Sequence, residues 1–150
     1  MPSRTVIAGL GNLLLQDDGV GVHAAQLLQR DAPAGVPVLD IGTAVLHGLD
    51  LLADAGRVIV LDAVCGGQPP GTLYQFAPET APPAGTSSVH ALGLLEAMRS
   101  LWPPSTPLPA LTILGVEPAQ MDYGTELSAP VRAALPRLVA AAQDLVRNSS

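Results

Sequence analysis

Short, continuous apolar runs alternate with amphipathic stretches along the 150 residues of this chain. Segment 5–10 is a continuous apolar run that stops at glycines, whereas segment 19–29 carries its apolar residues at mostly helical spacing. Continuous runs of this length predict buried strands, and helical spacing predicts amphipathic helices. The predicted strands are 5–10, 36–41, 57–63, 71–77 and 110–116, and the predicted helices are 19–29, 43–53, 87–101 and 128–146.

The order of these segments indicates the fold class. Strands that alternate with helices imply a mostly parallel sheet covered by helices on both faces. Segment 57–63 is the most apolar and is expected at the sheet centre, because a central parallel strand is buried on both faces. Segment 71–77 alternates polar with larger side chains, which indicates an edge strand. We therefore predict an α/β fold in which residues 1–150 form a single three-layer domain.

Proline and serine positions refine the predicted boundaries. Segments 78–85 and 102–109 are rich in proline and are predicted to be surface loops. A serine at position 87 or 88 is expected to cap helix 87–101. Pro136 removes a backbone donor inside segment 128–146, so we expect a kink there or two short helices.

Charge and composition exclude several classes of partner. The formal net charge is −6, and all seven basic residues are arginines, which are scattered along the chain. Because no basic cluster could follow a phosphate backbone, we expect no nucleic-acid partner. The absence of lysine also removes Schiff-base chemistry and the phosphate-binding lysine of a P-loop.

The single cysteine and the hydropathy pattern indicate where the protein works. Cys65 has no second cysteine with which to form an internal disulfide, which fits a reducing cytoplasm. No apolar run approaches the roughly 18 residues that a membrane-spanning helix needs. We therefore expect a cytoplasmic protein without a membrane span.

Two aspartates and a histidine are candidates for a divalent-metal site. Asp18 and Asp62 each follow an apolar, strand-like segment, and His90 lies near the start of helix 87–101. Open α/β sheets bind ligands beyond the carboxyl ends of their parallel strands, so distant residues can converge there. A buried aspartate must be paired, neutralised or bound to a metal, and the neutral imidazole favoured at a helix N-terminus is the form that binds metals. We therefore predict that these three side chains form a metal site.

Other polar residues near these candidates are assigned structural roles. Asp17 precedes the same helix as Asp18, and a carboxylate at that position can cap exposed helix amides. His23 and His47 lie inside predicted helices and have no partner that the sequence identifies.

Five motifs occur in order over most of the chain. They are Gly-Asn-Leu-Leu-Leu-Gln-Asp-Asp-Gly-Val-Gly at 11–21, Asp-Ile-Gly-Thr at 40–43, Leu-Asp-Ala at 61–63, Ser-Val-His-Ala-Leu-Gly-Leu at 88–94 and Leu-Gly-Val-Glu-Pro at 114–118. In this order they resemble the hydrogenase maturation endopeptidases, the family that trims the large subunit of nickel-iron hydrogenases. The combination is far more specific than any one of the motifs.

The resemblance implies a fold, a reaction and a set of site residues. It implies a twisted five-stranded sheet between helices, and removal of a C-terminal peptide from a nickel-loaded hydrogenase large-subunit precursor. Nickel would arrive with that precursor, and no organic cofactor is implied. The residues that it implies are Asp18, Asp62 and His90 as metal ligands, Asp40 as a catalytic residue near the scissile segment, and Gly42 and Thr43 as substrate-binding residues.

Two positions depart from the family's pattern. The family often has glutamate where this chain has Asp18, and aspartate is shorter by one carbon–carbon bond of about 1.5 Å. Ile41 replaces the first glycine of the family's Asp-Gly-Gly-Thr motif. The reach of the first carboxylate and the shape of the second loop are therefore expected to differ.

Other functions fit parts of the sequence. A thiol peptidase would use Cys65 as nucleophile together with His90. Peptidyl-tRNA hydrolase also carries Gly-Leu-Gly-Asn after its first strand, but an acidic chain without lysine argues against a tRNA partner. A third alternative is a non-catalytic protein that binds nickel and immature hydrogenase without cutting it. A dinucleotide site is disfavoured, because Leu14 stands where the third glycine of that fingerprint belongs.

Overall fold

A five-stranded sheet forms the centre of this protein, for which a computed structural model describes residues 4–31, 33–78 and 86–148. The strands are β1 (Arg4–Leu10), β2 (Val38–Gly42), β3 (Ala55–Ala63), β4 (Leu73–Phe76) and β5 (Ala110–Val116). The helices are α1 (Val20–Arg30), α2 (Val45–Leu51), α3 (Val89–Leu101) and α4 (Ala129–Asn148), and a short 3₁₀ turn, Gln16–Gly19, precedes α1.

The sheet is mostly parallel, as the alternation of strands and helices predicts. Its strand order is β2-β1-β3-β5-β4, with the most apolar strand, β3, at the centre. Strands β2, β1, β3 and β5 are parallel neighbours, and β4 pairs antiparallel with β5 at the edge. The predictions of a central third strand and of an edge strand near residues 71–77 are both confirmed.

Successive side chains along the strands enter two apolar layers on opposite faces of the sheet, because strand residues alternate in direction. Val6 of β1 belongs to the layer that contains Leu94 of α3. The next residue, Ile7, belongs to the layer that contains Leu28 of α1 and Leu138 of α4. Helices therefore cover both faces, which confirms the predicted three-layer α/β fold.

Helix α1 lies unusually close to the sheet because glycines face each other at the contact. A Cβ atom on Gly21 would overlap the carbonyl oxygens of Leu61 and Leu10, and one on Gly9 would overlap the carbonyl oxygen of Gly21. The helix backbone therefore rests directly on the ends of β1 and β3. This contact places the 3₁₀ turn Gln16–Gly19 beside the carboxyl ends of the two strands.

Helix α4 runs without interruption through Pro136, so of the two outcomes expected there, a kink or two short helices, the second is wrong. Pro136 is exposed, and the buried residues Val131, Ala134, Leu138 and Ala142 continue one stripe on either side of it. Burial of that stripe outweighs the cost of a helix-interior proline, which is about 3 kcal/mol.

No helix within the described ranges combines the length and the apolar character that a bilayer-spanning segment needs.

The start of α3 also differs from the prediction. Ser88 occupies the N-cap position, but its side chain makes no capping hydrogen bond. Its hydroxyl donates instead to Asp62, because that buried carboxylate is a stronger acceptor than water. The predicted proline-rich loop 78–85 falls, apart from Pro78, outside the described residues.

Candidate metal centre

Three separate elements bring Asp18, Asp62 and His90 to the carboxyl edge of the sheet. Asp18 lies in the 3₁₀ turn before α1, Asp62 is the penultimate residue of β3, and His90 is the second residue of α3. Gly115 faces Asp62 across the β3–β5 ladder, so the central strands end together at this edge. The edge is where open α/β sheets place their ligands.

Asp62 is fully buried, and four polar groups surround its carboxylate. Its Oδ1 accepts a hydrogen bond from the Ala63 amide at 2.9 Å and lies 3.2 Å from Nδ1 of His90. Its Oδ2 accepts hydrogen bonds from the Ser88 hydroxyl at 2.6 Å and the Ala91 amide at 3.3 Å. These bonds compensate for the loss of hydration and fix the orientation of the imidazole.

His90 connects the two carboxylates. Its Nδ1 faces Asp62, and its Nε2 lies 3.4 Å from Oδ2 of Asp18. The hydrogen bond with Asp62 raises the pKa of His90, burial lowers it, and the charges of Asp62 and Asp18 raise it further. The net shift is upward, which is opposite in direction to the effect that a helix N-terminus alone would have on an imidazole.

One pair of donor atoms has the separation expected for two ligands of a single first-row divalent ion. Two donors that each lie about 2.1 Å from a tetrahedral ion are roughly 3.4 Å apart. Oδ2 of Asp18 and Nε2 of His90 have this separation. Asp62 contacts the opposite side of the ring, and no group of three or more His, Cys, Asp and Glu side chains in the described segments is arranged to hold a metal ion. The predicted ligands therefore meet as a linear series of contacts rather than around one centre.

A small cleft of about 70 Å³ opens beside Asp18 and His90 and is also lined by Ala63, Cys65, Ser87 and Met121. Cys65 is exposed as a residue, but partial burial of its sulfur raises the pKa of the thiol. The carboxylates of Glu117, Asp18 and Asp62 raise that pKa further. The thiol is therefore held protonated at neutral pH, which disfavours the thiolate that a thiol peptidase needs.

Asp17 has an environment unlike that of its neighbour, because its side chain is fully buried. Its Oδ2 accepts hydrogen bonds from the amides of Ala119 and Gln120 and from the Ser128 hydroxyl at 2.7 to 2.9 Å, and its Oδ1 accepts one from the Ser128 amide at 2.8 Å. Burial raises the pKa of Asp17, but these bonds outweigh it and the net shift is downward. Asp17 is thus structural, although it does not cap α1: its donors lie 102 to 111 residues later in the chain.

Asp40, Gly42 and Thr43 lie at the carboxyl end of β2 and just beyond it, on the edge strand beside β1. Asp40 is exposed, and its Oδ2 accepts a hydrogen bond from Nε2 of Gln26 at 3.5 Å. Gly42 has a φ of +61°, and its carbonyl accepts a hydrogen bond from the Gly11 amide at 3.1 Å. Among the described residues no hydrogen bond or ion pair is seen between these three and the candidate ligands, so their roles stay predictions.

The sequence does not identify two residues of the site. Its pattern favours a helix cap for Ser88, although the position of Ser88 two residues before His90 is a signal that links it to the site. Met121 lies in an irregular loop, and no local pattern indicates that it lines the cleft.

Sequence comparisons identify related proteins. The profile of HycI, a hydrogenase maturation protease family, matches residues 22–145. The hydrogenase expression/formation protein HupD of Rhizobium leguminosarum bv. viciae is 30% identical over 151 residues, which cover 97% of this chain and 75% of that protein. The hydrogenase 2 maturation protease of Escherichia coli (strain K12) is 30% identical over 150 residues, which cover 94% of this chain and 92% of that protein.

Solved structures give the same result at the level of the fold. The [NiFe] hydrogenase maturation protease HybD from Thermococcus kodakarensis superposes with a TM-score of 0.83 at 28% identity, covering 95% of this chain and 98% of that one. The hydrogenase maturating endopeptidase HybD from E. coli superposes with a TM-score of 0.80 at 27% identity, covering 98% of this chain and 94% of that one.

Proposed function

We propose a defined reaction for this chain, which belongs to the hydrogenase maturation protease family and is a peptidase. It removes a C-terminal peptide from the precursor of a nickel-iron hydrogenase large subunit, and it recognises that precursor by the nickel bound there. The observation that carries the proposal is the pair formed by Asp18 and His90, whose oxygen and nitrogen donors lie 3.4 Å apart beside the cleft. Carboxylate and imidazole donors suit nickel, as they suit other first-row ions.

The three predicted ligands have different tasks in this proposal. Asp18 and His90 present donors that are already spaced for one ion. Asp62 holds the imidazole from its far side, and it would supply the third donor to the ion together with Asp18 and His90. Bound nickel supplies Lewis-acid polarisation of a carbonyl group or a water molecule, which is worth several kcal/mol of barrier.

The other predicted site residues act on the peptide rather than on the ion. Asp40, with Gly42 and Thr43, is proposed to contact the segment of the precursor that contains the scissile bond. The bond between the Gly42 carbonyl and the Gly11 amide supports this, because it ties the β2 loop to the loop that leads to Asp18. We place the reaction in the cytoplasm, where a single unpaired cysteine is typical.

Substitution of His90 tests the proposal directly. His90→Ala, incubated with nickel-loaded precursor, is expected to reduce cleavage by at least about 100-fold, because it removes a nickel donor and the partner of both acids. His47→Ala is the matched control, since His47 is an exposed histidine on α2. Unimpaired cleavage by His90→Ala would exclude the proposed site.

Mass spectrometry separates a peptidase from a protein that only binds the precursor. Incubation with the wild-type chain is expected to shorten the nickel-loaded precursor by its C-terminal peptide. A precursor that stays bound but keeps its full mass would favour the non-catalytic alternative. The same assay with Cys65→Ser is expected to give normal cleavage, because the protonated thiol has no role in the proposed reaction.

A further inference from the structure

Glu117 is a buried acid that lies close to the cleft and has no role in the proposed reaction. It directly follows β5, and only 7% of it is exposed. Three donors converge on its Oε1: the Gly66 amide at 2.8 Å, the Gln68 amide at 3.2 Å and the Tyr74 hydroxyl at 2.5 Å. Two of these donors are main-chain groups of one loop, so this carboxylate fixes a backbone conformation.

The loop that Glu117 holds forms one wall of the cleft. Residues 65–68, which we call the cleft loop, come shortly after β3, and their first residue, Cys65, lines the cleft with Asp18 and His90. Cys65 also exchanges two backbone hydrogen bonds with Ser87, at 2.8 and 2.9 Å, just before the helix that carries His90. The cleft loop is therefore connected both to the cleft beside Asp18 and to the start of the helix that carries His90.

The contact between Tyr74 and the cleft loop is close and specific. A Cβ atom on Gly66 would lie 2.5 to 2.8 Å from the hydroxyl and ring atoms of Tyr74, so a larger residue there would force the loop or the Tyr74 ring to move. Burial, together with the bond to Glu117, raises the pKa of Tyr74 to about 12, so the hydroxyl keeps the proton that it donates. Tyr74 and Glu117 thus support the loop from beneath.

No described residue covers the opposite side of the cleft loop. Gly67 is exposed, and a Cβ atom added to it would meet no atom of the described segments within 4 Å. A peptide chain could therefore approach the backbone at the crest of the loop while its neighbouring residues enter the cleft.

We propose that Glu117 is a positioning residue for the peptidase reaction, which sets the cleft loop so that the loop contacts the precursor peptide next to Asp18 and His90. The identity of the substrate in this inference rests on the proposed function. Glu117 acts through the loop and does not touch substrate, because its side chain lies beneath the main chain of residues 66 and 68.

Two substitutions at position 117 test this role. Glu117→Ala removes the shared acceptor and is expected to raise the KM for nickel-loaded precursor about tenfold, with a smaller change in kcat, since a hydrogen-bond acceptor is lost outside the reacting groups. Glu117→Gln keeps an oxygen at the same position and is expected to restore KM to within about twofold of wild type. Glu96→Ala, at an exposed glutamate on α3, is the control.

Hydrogen exchange measures the position of the loop independently of activity. In Glu117→Ala the amides of Gly66 and Gln68 are expected to exchange at least about tenfold faster, while the strand amides of β1 and β3 keep their protection. If the wild-type chain fails to cleave precursor, the proposed function fails, and the exchange data alone decide the role of Glu117.

Gly66→Ala provides a second route to the same test if Glu117→Ala does not fold. It leaves the carboxylate in place but pushes the cleft loop away from Tyr74, so the same rise in KM is expected. Unchanged exchange at Gly66 and Gln68 in Glu117→Ala, or an unchanged KM in Gly66→Ala, would overturn the inference.

Discussion

Asp17 and Asp18 are adjacent in the sequence, but the fold gives them opposite environments. Asp17 is fully buried, and main-chain and hydroxyl donors of the segment 119–128 occupy both its oxygens. Asp18 is partly exposed, accepts one hydrogen bond from the Asn12 amide, and turns the same oxygen towards His90 at the cleft. The first carboxylate holds the structure together, and the second is available for chemistry.

The difference shows that the partner of a carboxylate matters more for its role than the degree of its burial. Asp62 is as buried as Asp17, but one of its oxygens faces an imidazole whose other nitrogen faces the cleft. Glu117 is buried too, and it resembles Asp17 because its donors are main-chain amides and a hydroxyl, whereas Asp62 and Asp18 each contact the imidazole of His90. Asp17 and Glu117 are therefore anchors, whereas Asp18 and Asp62 belong to the site.

The largest expected effect comes from removing the first anchor. Asp17→Ala leaves three amides and a hydroxyl without their acceptor, so we expect a loss of about 3 kcal/mol in the free energy of unfolding. Denaturant unfolding followed by circular dichroism measures this loss. Asp122→Ala, at an exposed aspartate in the same region, is expected to change the free energy by less than about 0.5 kcal/mol. Equal stabilities of the two variants would contradict the assignment of Asp17 as an anchor.

Substitution of Asp18 is expected to have the opposite effect to that of Asp17, with a loss of activity and little change in stability. Asp18→Asn should lower cleavage of nickel-loaded precursor about 100-fold, because a neutral amide is a poor ligand for a divalent ion. Its free energy of unfolding should stay within about 1 kcal/mol of wild type, since an amide oxygen can still accept the bond from Asn12. Kinetic and unfolding measurements on one preparation check both parts, with Asp50→Asn on α2 as control. A variant that loses stability but keeps its activity would reverse the comparison.

The smallest expected effect is a change in stability at high pH that involves Tyr74, the tyrosine bonded to the second anchor, Glu117. The pKa of Tyr74 is raised from 10.0 to about 12, first by burial and then by its bond to Glu117. Because the folded state holds this proton more tightly, the resulting stability is complete below pH 10 and is lost as the pH rises from 10 towards 12. Tyr74→Phe should therefore show a flatter decline of stability over that window in thermal unfolding at several pH values. Parallel curves for both proteins would indicate that the bond to Glu117 does not control the proton.

The fold could be predicted from the sequence because its signals are local. The apolar run 57–63 is long and continuous, so the central strand was identified, and β5 was predicted at its observed bounds. The local effect of proline does not predict one continuous helix α4, because the buried stripe on both sides of Pro136 stabilises the helix as a single unit.

The site could be predicted only in part. Strand ends, the helix start and the family motifs pointed to Asp18, Asp62 and His90, and the fold does bring these side chains together. The protonation tendency of His90 could not be deduced, because it depends on two acids from distant segments. The donors to Asp17 and Glu117 lie between 43 and 111 residues away, so nothing in the local sequence reveals these contacts.

The glycine contact between α1 and the sheet also limits how the edge that carries the candidate site could change in evolution. Because the backbone at Gly21 rests on the carbonyl oxygens of Leu61 and Leu10, the turn that carries Asp18 cannot shift towards β3 unless the whole helix slides. The main chain thereby limits how closely this turn can approach the end of β3. The length of the side chain at position 18 is then the simplest dimension left to adjust, and an aspartate there leaves more of the cleft open than a glutamate would.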